Sequence, residues 1–354
     1  MNPGIERVLK NPASFLTSNH SDGVSISSRI RLSRNLKGYP FPTSATAESA
    51  AESLEEIRLA CSHAESIGCP ECLFFDMAEL NDLEKLLLTE RRQASLALLE
   101  SKLPSAVAVS GDESCAVMIN EEDQIRMQTL KPGFQLEECW SCVNKLDDEL
   151  SGELEYAWSD DLGYLTACPT NVGTGMRASV MLHLPGLVIT DQIDATVHGI
   201  NKLGLAVRGI YGEGSGNLGR LYQVSNQSTL GESEGSIIEQ LSGVIRQLIE
   251  YERQARKKLL VQDRFTLLDH VGRSFGILQN SYKLSVPEAL ESLSGIRLGV
   301  ELGLFQHLKI DTVNELFMEL NPGHLQLRSG LALPESELDV LRAKLFRSKL
   351  RERA

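Results

Sequence analysis

Residues 161–187 read DLGYLTACPTNVGTGMRASVMLHLPGL, and this stretch decides the fold. The runs GYLTACP (163–169) and RASVMLHL (177–184) predict β-strands, because both are rich in apolar, aromatic and β-branched residues. Gly173 and Gly175 lie between the two runs. A glycine turn that leads into a strand instead of a helix indicates an antiparallel sheet.

Further strand and helix signals lie on both sides of this stretch. Helical periodicity indicates helices over 47–66, 80–101, 136–152 and 190–204. Strands and helices do not alternate regularly, so the pattern predicts an α+β fold with a mainly antiparallel sheet flanked by helices. The predicted strands are ISSRIRLSRNL (26–36), LFFDM (73–77), AVAVS (106–110), CAVMI (115–119), IRMQTL (125–130), LAVRGIY (205–211) and RLYQVS (220–225).

The strand signals stop after residue 234. A long amphipathic helix is predicted over 234–260, and about four further helical segments follow it. This change of pattern predicts two domains. Residues 1–258 form the mixed α+β domain, and residues 259–354 form an all-helical C-terminal domain.

Composition restricts the class of protein. The 354 residues carry a net charge of −13, which argues against nucleic acid as a partner because a phosphate backbone needs a basic surface. An acidic surface instead attracts cationic substrates. No apolar run approaches the ~20 residues that span a bilayer, and the N-terminus has no signal-peptide pattern. We therefore expect a cytoplasmic protein without membrane contact.

The seven cysteines suit a reducing compartment, and some of them are closely spaced. Such spacing can hold a structural zinc ion. Buried free cysteines more often behave as small apolar residues, so packing is the favoured interpretation. The residues concerned are two CxxC pairs, Cys69/Cys72 and Cys139/Cys142, with Cys61 and His63 before the first pair.

The common phosphate-binding loops are absent or lack their context. The chain has no GxxxxGK[ST] sequence and no set of protein-kinase motifs. Gly214, Gly216 and Gly219 match GxGxxG, but a strand-like run follows them where a dinucleotide site needs a helix. This match is therefore interpreted as a flexible loop in an antiparallel sheet.

Arginines inside apolar strands are the first candidates. In SRIRL, Arg29 and Arg31 are two residues apart and share one face of a strand, while Ile30 and Leu32 face the other side. A single such arginine is usually a solvent-facing residue. Several of them beside glycine loops indicate phosphate binding, because guanidinium forks grip phosphate oxygens in pairs. The set is Arg29, Arg31, Arg126, Arg177 and Arg208.

Acidic residues and one cysteine complete the candidates. Asn120-Glu121-Glu122-Asp123 directly follows the strand run CAVMI, and Glu213 lies in the glycine-rich run YGEGSGN. Adjacent carboxylates repel each other and need nearby cations or water. Cys168 lies at the end of the predicted strand, where neighbouring charges can activate a thiol, although burial for packing is the alternative.

Four segments in this order resemble the phosphagen (ATP:guanido) kinase family, which includes creatine and arginine kinases. The segments are SSRIRLSRNL, INEEDQIRMQ, CPTNVGTGMRAS and VRGIYGEGS. The likeness spans nearly the whole chain and is closest to the branch that phosphorylates arginine in proteins. It implies a kinase that uses ATP, with Mg²⁺ held mainly by the nucleotide and no direct metal ligand from the protein.

The resemblance also implies the residue roles. The five arginines bind the phosphates of ATP. Glu122 holds the acceptor guanidinium and accepts its proton, Glu213 assists, and Cys168 contacts the guanidine. A guanidinium has a pKa above 12, so it attacks only when carboxylates align it and take a proton. The supporting residues are Asn120, Glu121, Asp123, Thr170 and Asn171.

The chain differs from relatives of this kind at three places. Small-substrate members carry an N-terminal helical domain, whereas here SRIRL begins at residue 28, which predicts an open site that admits a protein side chain. Gln124 replaces a usual histidine. The RDxxRA segment that binds phosphoarginine is degenerate because Leu338 replaces its first arginine, so we expect weak or absent phosphoarginine regulation. Any residual contact would come from Asp339 and Arg342.

The resemblance implies partners as well. They are proteins with accessible arginines, a zinc-binding activator protein (McsA-like), a Clp protease (ClpC–ClpP) that degrades marked proteins in the stress response, and a second copy of the chain through the helical domain. Two alternatives stay open at this point. One is a kinase for free arginine or another small guanidine, and the other is a catalytically weak adaptor of a protease.

Overall fold

The computed structural model describes residues 1–18, 20–68, 71–209 and 217–351. Its centre is an eight-stranded sheet in which every neighbouring pair is antiparallel, in the order β2-β3-β4-β5-β1-β8-β10-β9. This confirms the predicted antiparallel α+β fold. The strands are β1 Ser25–Arg34, β2 Leu73–Asp76, β3 Ala106–Val109, β4 Cys115–Ile119, β5 Ile125–Pro132, β8 Met176–His183, β9 Leu205–Gly209 and β10 Leu221–Asn226, and β6 Trp158–Ser159 pairs with β7 Gly163–Tyr164.

Helices pack on one face of the sheet and on one end of the other face. They also make up most of the C-terminal third of the chain. After residue 263 the described residues contain helices without strands. The helices are α1 Pro3–Lys10, α2 Ala47–His63, α3 Asp82–Glu90, α4 Leu96–Glu100, α5 Leu136–Ser151, α6 Pro185–Ile189, α7 Ile193–Lys202, α8 Glu234–Gln262, α9 Arg264–Asn280, α10 Val286–Glu301, α11 Ile310–Glu319, α12 Pro322–Ser329 and α13 Glu335–Arg351.

One face of the sheet forms the main core. Ile30 and Leu32 of β1 are fully buried there, with apolar residues of α2, α5 and α8 packed against the strands. Cys61 and Cys139 lie in the same core, which agrees with the packing interpretation, and burial raises the pKa of the Cys61 thiol to about 12. Cys69 lies outside the described residues.

The opposite face is divided into two halves. Over β2, β3 and β4 it is apolar and packs against α1, α3 and α4. Over β5, β1 and β8 its character is polar and basic, because the arginines of these strands lie on it. The sheet therefore presents a charged surface between two packed regions.

Two predicted elements were wrong in extent. The helix predicted over 80–101 is broken between α3 and α4, where Arg92 has a left-handed φ of 61° and Ser95 caps α4. The strand predicted over 163–169 is limited to Gly163–Tyr164. Pro169 instead begins a short 3₁₀ turn, and proline cannot donate to a strand ladder.

The C-terminal helices have their own core and also pack on the sheet. Met181 of β8 and Leu221 of β10 belong to that core together with Leu293 and Phe346. Buried polar contacts join the same regions, since Arg297 Nη1 lies 3.1 Å from His183 Nδ1 at the end of β8. Among the helices in the described ranges, none combines the length and apolar character that a membrane crossing requires.

Candidate active site

The arginines of the central strands lie on one face of the sheet. Arg29 and Arg31 are both on β1, and Arg31 pairs with Arg177 on β8 and with Gln128 on β5. Residues directly opposite each other in an antiparallel pair point to the same face. The prediction that Arg29 and Arg31 share a face, away from Ile30, is thus confirmed, and Arg177 joins them.

The register places the two remaining arginines on this face too. Arg126 of β5 pairs with Ser33, two residues after Arg31. Arg208 lies on β9, three strands away from β1. Three residues link it to β1 across the sheet, because each pairs directly with the next. In order from Arg208 they are Gln223, Met181 and Ser27. We call the face that carries Arg29, Arg31, Arg126, Arg177 and Arg208 the arginine face.

The arginine face holds a concentration of positive charge. The pKa of Arg29 falls to about 9 because of burial and then because of other arginines, namely Arg92, Arg126 and Arg177. Burial, and then Arg29, Arg126 and Arg177, lower the pKa of Arg31 well below its ordinary value, and Glu121 opposes the shift. Among the described residues no carboxylate forms an ion pair with Arg29 or Arg31, and the buried Nε of Arg31 has no hydrogen-bond partner. A bound polyanion would relieve this repulsion.

Glu121 neutralises one member of this set. Its carboxylate is buried, pairs with Arg126 Nη1 at 2.5 Å and accepts a hydrogen bond from Ser95. Burial raises its pKa, but Arg126, Ser95 and Arg31 outweigh burial and lower it overall. Glu121 therefore stays ionised and fixes the Arg126 side chain on the arginine face.

Glu122 differs from Glu121 in exposure and in the direction of its pKa shift. It lies in the β4–β5 hairpin turn, where Asn120 has a left-handed φ of 56°. The two side chains diverge, since Glu121 is buried and Glu122 is exposed. Partial burial and then Asp123 raise the pKa of Glu122, and Arg126 opposes them. An exposed carboxylate of raised pKa is a suitable proton acceptor.

The other residues of the turn hold it in place. Asn120 Nδ2 donates to the carbonyls of Ala50 and Pro104, each at 2.8 Å. Asp123 Oδ1 accepts from Asn35 Nδ2 and from the backbone N–H of Ala167, each at 2.7 Å. Asp123 therefore connects the acidic turn to the segment that leads into Cys168.

Gln124, at the position of the expected histidine, also has a structural place. Its side-chain Oε1 accepts from the backbone N–H of Leu36 at 2.7 Å, and its backbone N–H donates to Asn35 Oδ1 at 2.9 Å. These bonds fix the acidic turn to the end of β1. The amide thus supports the turn through contacts that need no charge.

Cys168 precedes a short 3₁₀ turn, Pro169–Asn171, instead of ending a strand. Its Sγ lies 3.0 Å from Thr170 Oγ1, and its carbonyl accepts from Asn171 N at 3.0 Å. Thr229 Oγ1 donates to the Thr170 carbonyl at 2.9 Å and so holds the turn from the other side. Cys168 is half-buried and Thr170 is exposed, so both are accessible to an acceptor.

Gly173 explains why this loop is rich in glycine. Its φ of 109° lies in the region that favours glycine, and a Cβ there would lie 2.6 Å from the Thr229 carbonyl oxygen. The glycine thus allows close backbone packing beneath the Cys168 turn. Glu213, the second predicted acid, lies outside the described residues.

Two cavities flank these groups. One, of about 500 Å³, lies between the sheet and the C-terminal helices, with Arg29 and Arg92 on its wall and Met181, Leu221 and Phe317 among its apolar lining. The other, of about 380 Å³, lies beside the Cys168 loop and is lined by Trp158, Tyr164 and three acids, Asp161, Glu232 and Glu234. The sequence had indicated neither cavity.

No cluster of three or more His, Cys, Asp or Glu side chains within the described ranges could hold a metal ion. The basic face does fit a nucleotide, since guanidinium groups match phosphate oxygens and the buried Nε of Arg31 has no hydrogen-bond partner. The residues present therefore suit ATP as the ligand of the arginine face.

The side chains of the degenerate RDxxRA segment make contacts within the protein. Arg342 is 1% exposed; its Nε donates to the Leu320 carbonyl at 2.8 Å and its Nη1 to the Leu284 carbonyl at 2.7 Å. Nη1 also pairs with Asp339 Oδ1 at 2.6 Å. Leu338 is buried as well. Asp339 and Arg342 lie together, but they connect α13 to the neighbouring backbone.

Comparisons with known proteins agree with this geometry. The model of the ATP:guanido phosphotransferase C-terminal catalytic domain matches residues 60–255, more than half of the chain. A model described as the protein-arginine kinase McsB C-terminal domain matches residues 264–354. These matches define a phosphotransferase, and the chain belongs to the ATP:guanido phosphotransferase family.

Its curated relatives include protein-arginine kinases. The chain is 46% identical to that of Halalkalibacterium halodurans, over 92% of this chain and 91% of the relative. It is 45% identical to that of Bacillus subtilis, over 92% of this chain and 89% of the relative. A duplicated taurocyamine kinase from Schistosoma mansoni with bound transition-state analogue components has a TM-score of 0.60 at 25% identity, over 68% of this chain and 34% of that chain. Within its family the chain therefore belongs to the protein-arginine kinase branch.

Proposed function

We propose that this enzyme transfers the γ-phosphoryl group of ATP to the guanidino group of arginine side chains in proteins. The single observation that carries the proposal is the placement of five arginines on one sheet face next to an exposed carboxylate of raised pKa. Phosphoryl transfer depends mainly on positioning and charge neutralisation. The five arginines bind the phosphates, and Mg²⁺ binds with the nucleotide and neutralises part of its charge.

The acceptor lies between the acidic turn and the Cys168 turn. A guanidino nitrogen attacks the γ-phosphorus, the bond from that phosphorus to the bridging oxygen breaks, ADP leaves, and the nitrogen gives up a proton. Glu122 accepts this proton and orients the guanidinium, with Glu213 as the second carboxylate. Cys168 and Thr170 line the acceptor site, and Asp123 keeps their loop aligned with Glu122.

The nucleoside occupies the cavity of about 500 Å³ that adjoins Arg29. Its apolar wall, which includes Met181 and Phe317, suits a purine ring, while the polar end meets the arginine face. The nucleotide then lies with its base against the C-terminal helices and its phosphates over β1.

Two features support a protein as the acceptor instead of free arginine. The relatives that are 46% and 45% identical over 92% of this chain are named protein-arginine kinases. The cavity beside the Cys168 loop combines two aromatic rings with Asp161, Glu232 and Glu234, which favours cationic segments of a polypeptide. A protein adaptor without activity has no use for the repulsive arginine face.

The C-terminal helices supply regulation and assembly in this proposal. Residues 259–354 form a separate helical domain through which two copies pair. Phosphoarginine regulation through Asp339 and Arg342 is absent, because the donors of Arg342 are bound to backbone carbonyls. Phosphorylated proteins are passed to a Clp protease in the stress response, and a zinc-binding activator protein assists the kinase.

Mass spectrometry of an arginine-rich, unfolded model protein tests the proposal. After incubation with enzyme and Mg-ATP, under conditions that preserve the acid-labile N–P bond, we expect phosphoarginine on the protein and little on free arginine. Glu122→Ala abolishes the product, whereas Glu239→Ala, an exposed acid on α8, leaves it unchanged. Preferred phosphorylation of free arginine, or full activity of Glu122→Ala, contradicts the proposal.

A further inference from the structure

The chain at the end of β10 lies between the arginine face and the Cys168 turn. Residues 225–229 read SNQST, and Ser225, Asn226 and Thr229 are buried. A buried hydroxyl or amide needs hydrogen-bond partners to offset the cost of leaving water. The partners of these three side chains therefore show what the segment holds together.

One end of the segment is bonded to β8, the strand that carries Arg177. Arg177 Nη2 donates to Ser225 Oγ at 3.2 Å. Asn226 Oδ1 accepts from the backbone N–H of Ala178 at 2.9 Å, and its Nδ2 donates to the Met176 carbonyl at 3.0 Å. These bonds involve Arg177 and the residues on both sides of it, so they fix the segment to the arginine face.

The other end of the segment is bonded to the Cys168 turn. Thr229 Oγ1 lies 2.9 Å from the Thr170 carbonyl oxygen and 2.6 Å from the Val172 carbonyl oxygen. The hydroxyl has one proton, which it donates toward these two carbonyls. The Thr170 hydroxyl in turn lies 3.0 Å from Cys168 Sγ. The backbone of the turn is therefore held by one buried hydroxyl group.

These contacts join the donor side of the proposed reaction to its acceptor side. Arg177 binds phosphates in the proposed function, and Cys168 and Thr170 line the acceptor site. Five residues, 225–229, connect the two groups through hydrogen bonds at both ends. Phosphoryl transfer needs the acceptor nitrogen in line with the γ-phosphorus, and a misplacement of about 1 Å can cost about 100-fold in rate. The segment therefore sets the distance on which the reaction depends.

We infer that Thr229 is a positioning residue for phosphoryl transfer, which holds the Cys168 turn at a fixed distance from the arginine face. The inference rests on the proposed function, because it requires the acceptor to lie at this turn. Thr229 is buried, so it acts through the turn and not by contact with the substrate.

Three variants separate this role from a general structural one. Thr229→Val removes the hydroxyl and keeps a branched side chain, whereas Thr229→Ser keeps the hydroxyl. Thr196→Val is the matched control, because the Thr196 hydroxyl on α7 also donates to a carbonyl, that of Gln192 at 2.8 Å.

Kinetics and nucleotide binding are measured on the full chain. With an unfolded, arginine-containing protein and Mg-ATP, Thr229→Val should lose about 10-fold or more in kcat/KM, because the acceptor is no longer aligned. Calorimetric titration should give the MgADP affinity of the wild type, since the arginines are unchanged. Thr229→Ser should recover most of the activity, and Thr196→Val should match the wild type in both measurements.

The Cys168 thiol gives a readout that requires no activity. Because its turn is released, Cys168 in Thr229→Val should react faster with iodoacetamide than in the wild type. Mass spectrometry of the alkylated peptides measures both rates. Cys142, half-buried on α5, is the internal reference and should react equally in the two proteins.

Two results overturn the inference while the proposed function stands. One is a Thr229→Val variant with the kcat/KM of the wild type. The other is faster alkylation of both cysteines together with a weaker MgADP affinity, which assigns Thr229 a general structural role. A wild type that phosphorylates no protein contradicts the proposed function, and the inference then falls with it.

Discussion

Arg31 on the sheet face and Arg34 in the interior differ in how nearby carboxylates compensate their positive charges. Arg34, at the end of β1, is buried, pairs with Asp147 through two bonds of 3.2 and 2.6 Å, and stacks on the Tyr164 ring at 3.5 Å. Arg31, three residues earlier on the same strand, lies among other arginines with Glu121 as the one opposing charge acting on its pKa. The comparison shows that Arg34 has a buried carboxylate partner, whereas Arg31 forms no ion pair among the described residues.

The largest expected effect comes from Arg31. Arg31→Gln should lower kinase activity about 10³-fold or more, because an arginine that stabilises the transferring phosphoryl group is worth that much. The free energy of unfolding should not fall, since the substitution removes like-charge repulsion. Steady-state kinetics and chemical denaturation measure the two quantities. A less stable but fully active variant would show that Arg31 is structural.

A substitution of Arg34 should lower stability, in contrast to Arg31→Gln, which should lower activity. Arg34→Met should lower the free energy of unfolding by about 3–5 kcal/mol, because Asp147 is left as a buried charge without its partner. Urea denaturation measures this loss, and Arg273→Met on the exposed surface is the control, with an expected change within about 0.5 kcal/mol. An Arg34→Met protein as stable as the wild type would remove the distinction between the two groups.

Arg342 extends the comparison to the C-terminal helices. Arg342→Leu should destabilise the protein by about 1–3 kcal/mol, because the Leu284 and Leu320 carbonyls lose their donors. Titration with free phosphoarginine should leave the melting temperature of the wild type unchanged. A rise in melting temperature that disappears in Arg342→Leu would instead restore the phosphoarginine site.

The smallest expected effect is a shift in pH dependence. The raised pKa of Glu122 means that it becomes protonated, and inactive as a base, at a higher pH than an ordinary glutamate does. The acid limb of the kcat/KM profile should therefore lie above the usual range for a glutamate. Glu239→Gln should leave that limb in place. An acid limb in the ordinary glutamate range would assign proton transfer to another group.

The sequence was sufficient for what depends on local pattern. The alternation in SRIRL predicted correctly that Arg29 and Arg31 share a face, because strand geometry follows from neighbouring residues. It could not predict that Arg208 lies on the same face, since that depends on the register of three successive strand pairs. The family resemblance supplied that grouping without its geometry.

Arg92 and Ser95 show a second limit. Both lie in a run that helical periodicity assigned to one helix, and the break between α3 and α4 brings them to the site. The break is imposed by distant partners, above all Gln128 on β5 and Glu113 in the β3–β4 hairpin. The only local signal was the pair Arg91-Arg92 followed by Ser95, a residue type that caps helices.

Stability measured with and without MgADP tests the central claim most directly. With MgADP at about 100 times its dissociation constant, the free energy of unfolding of the wild type should rise by about 2.7 kcal/mol. Arg31→Gln should start at least as stable as the wild type and gain far less. If Arg31→Gln starts less stable and gains as much from MgADP, the arginine face does not bind the nucleotide's phosphates.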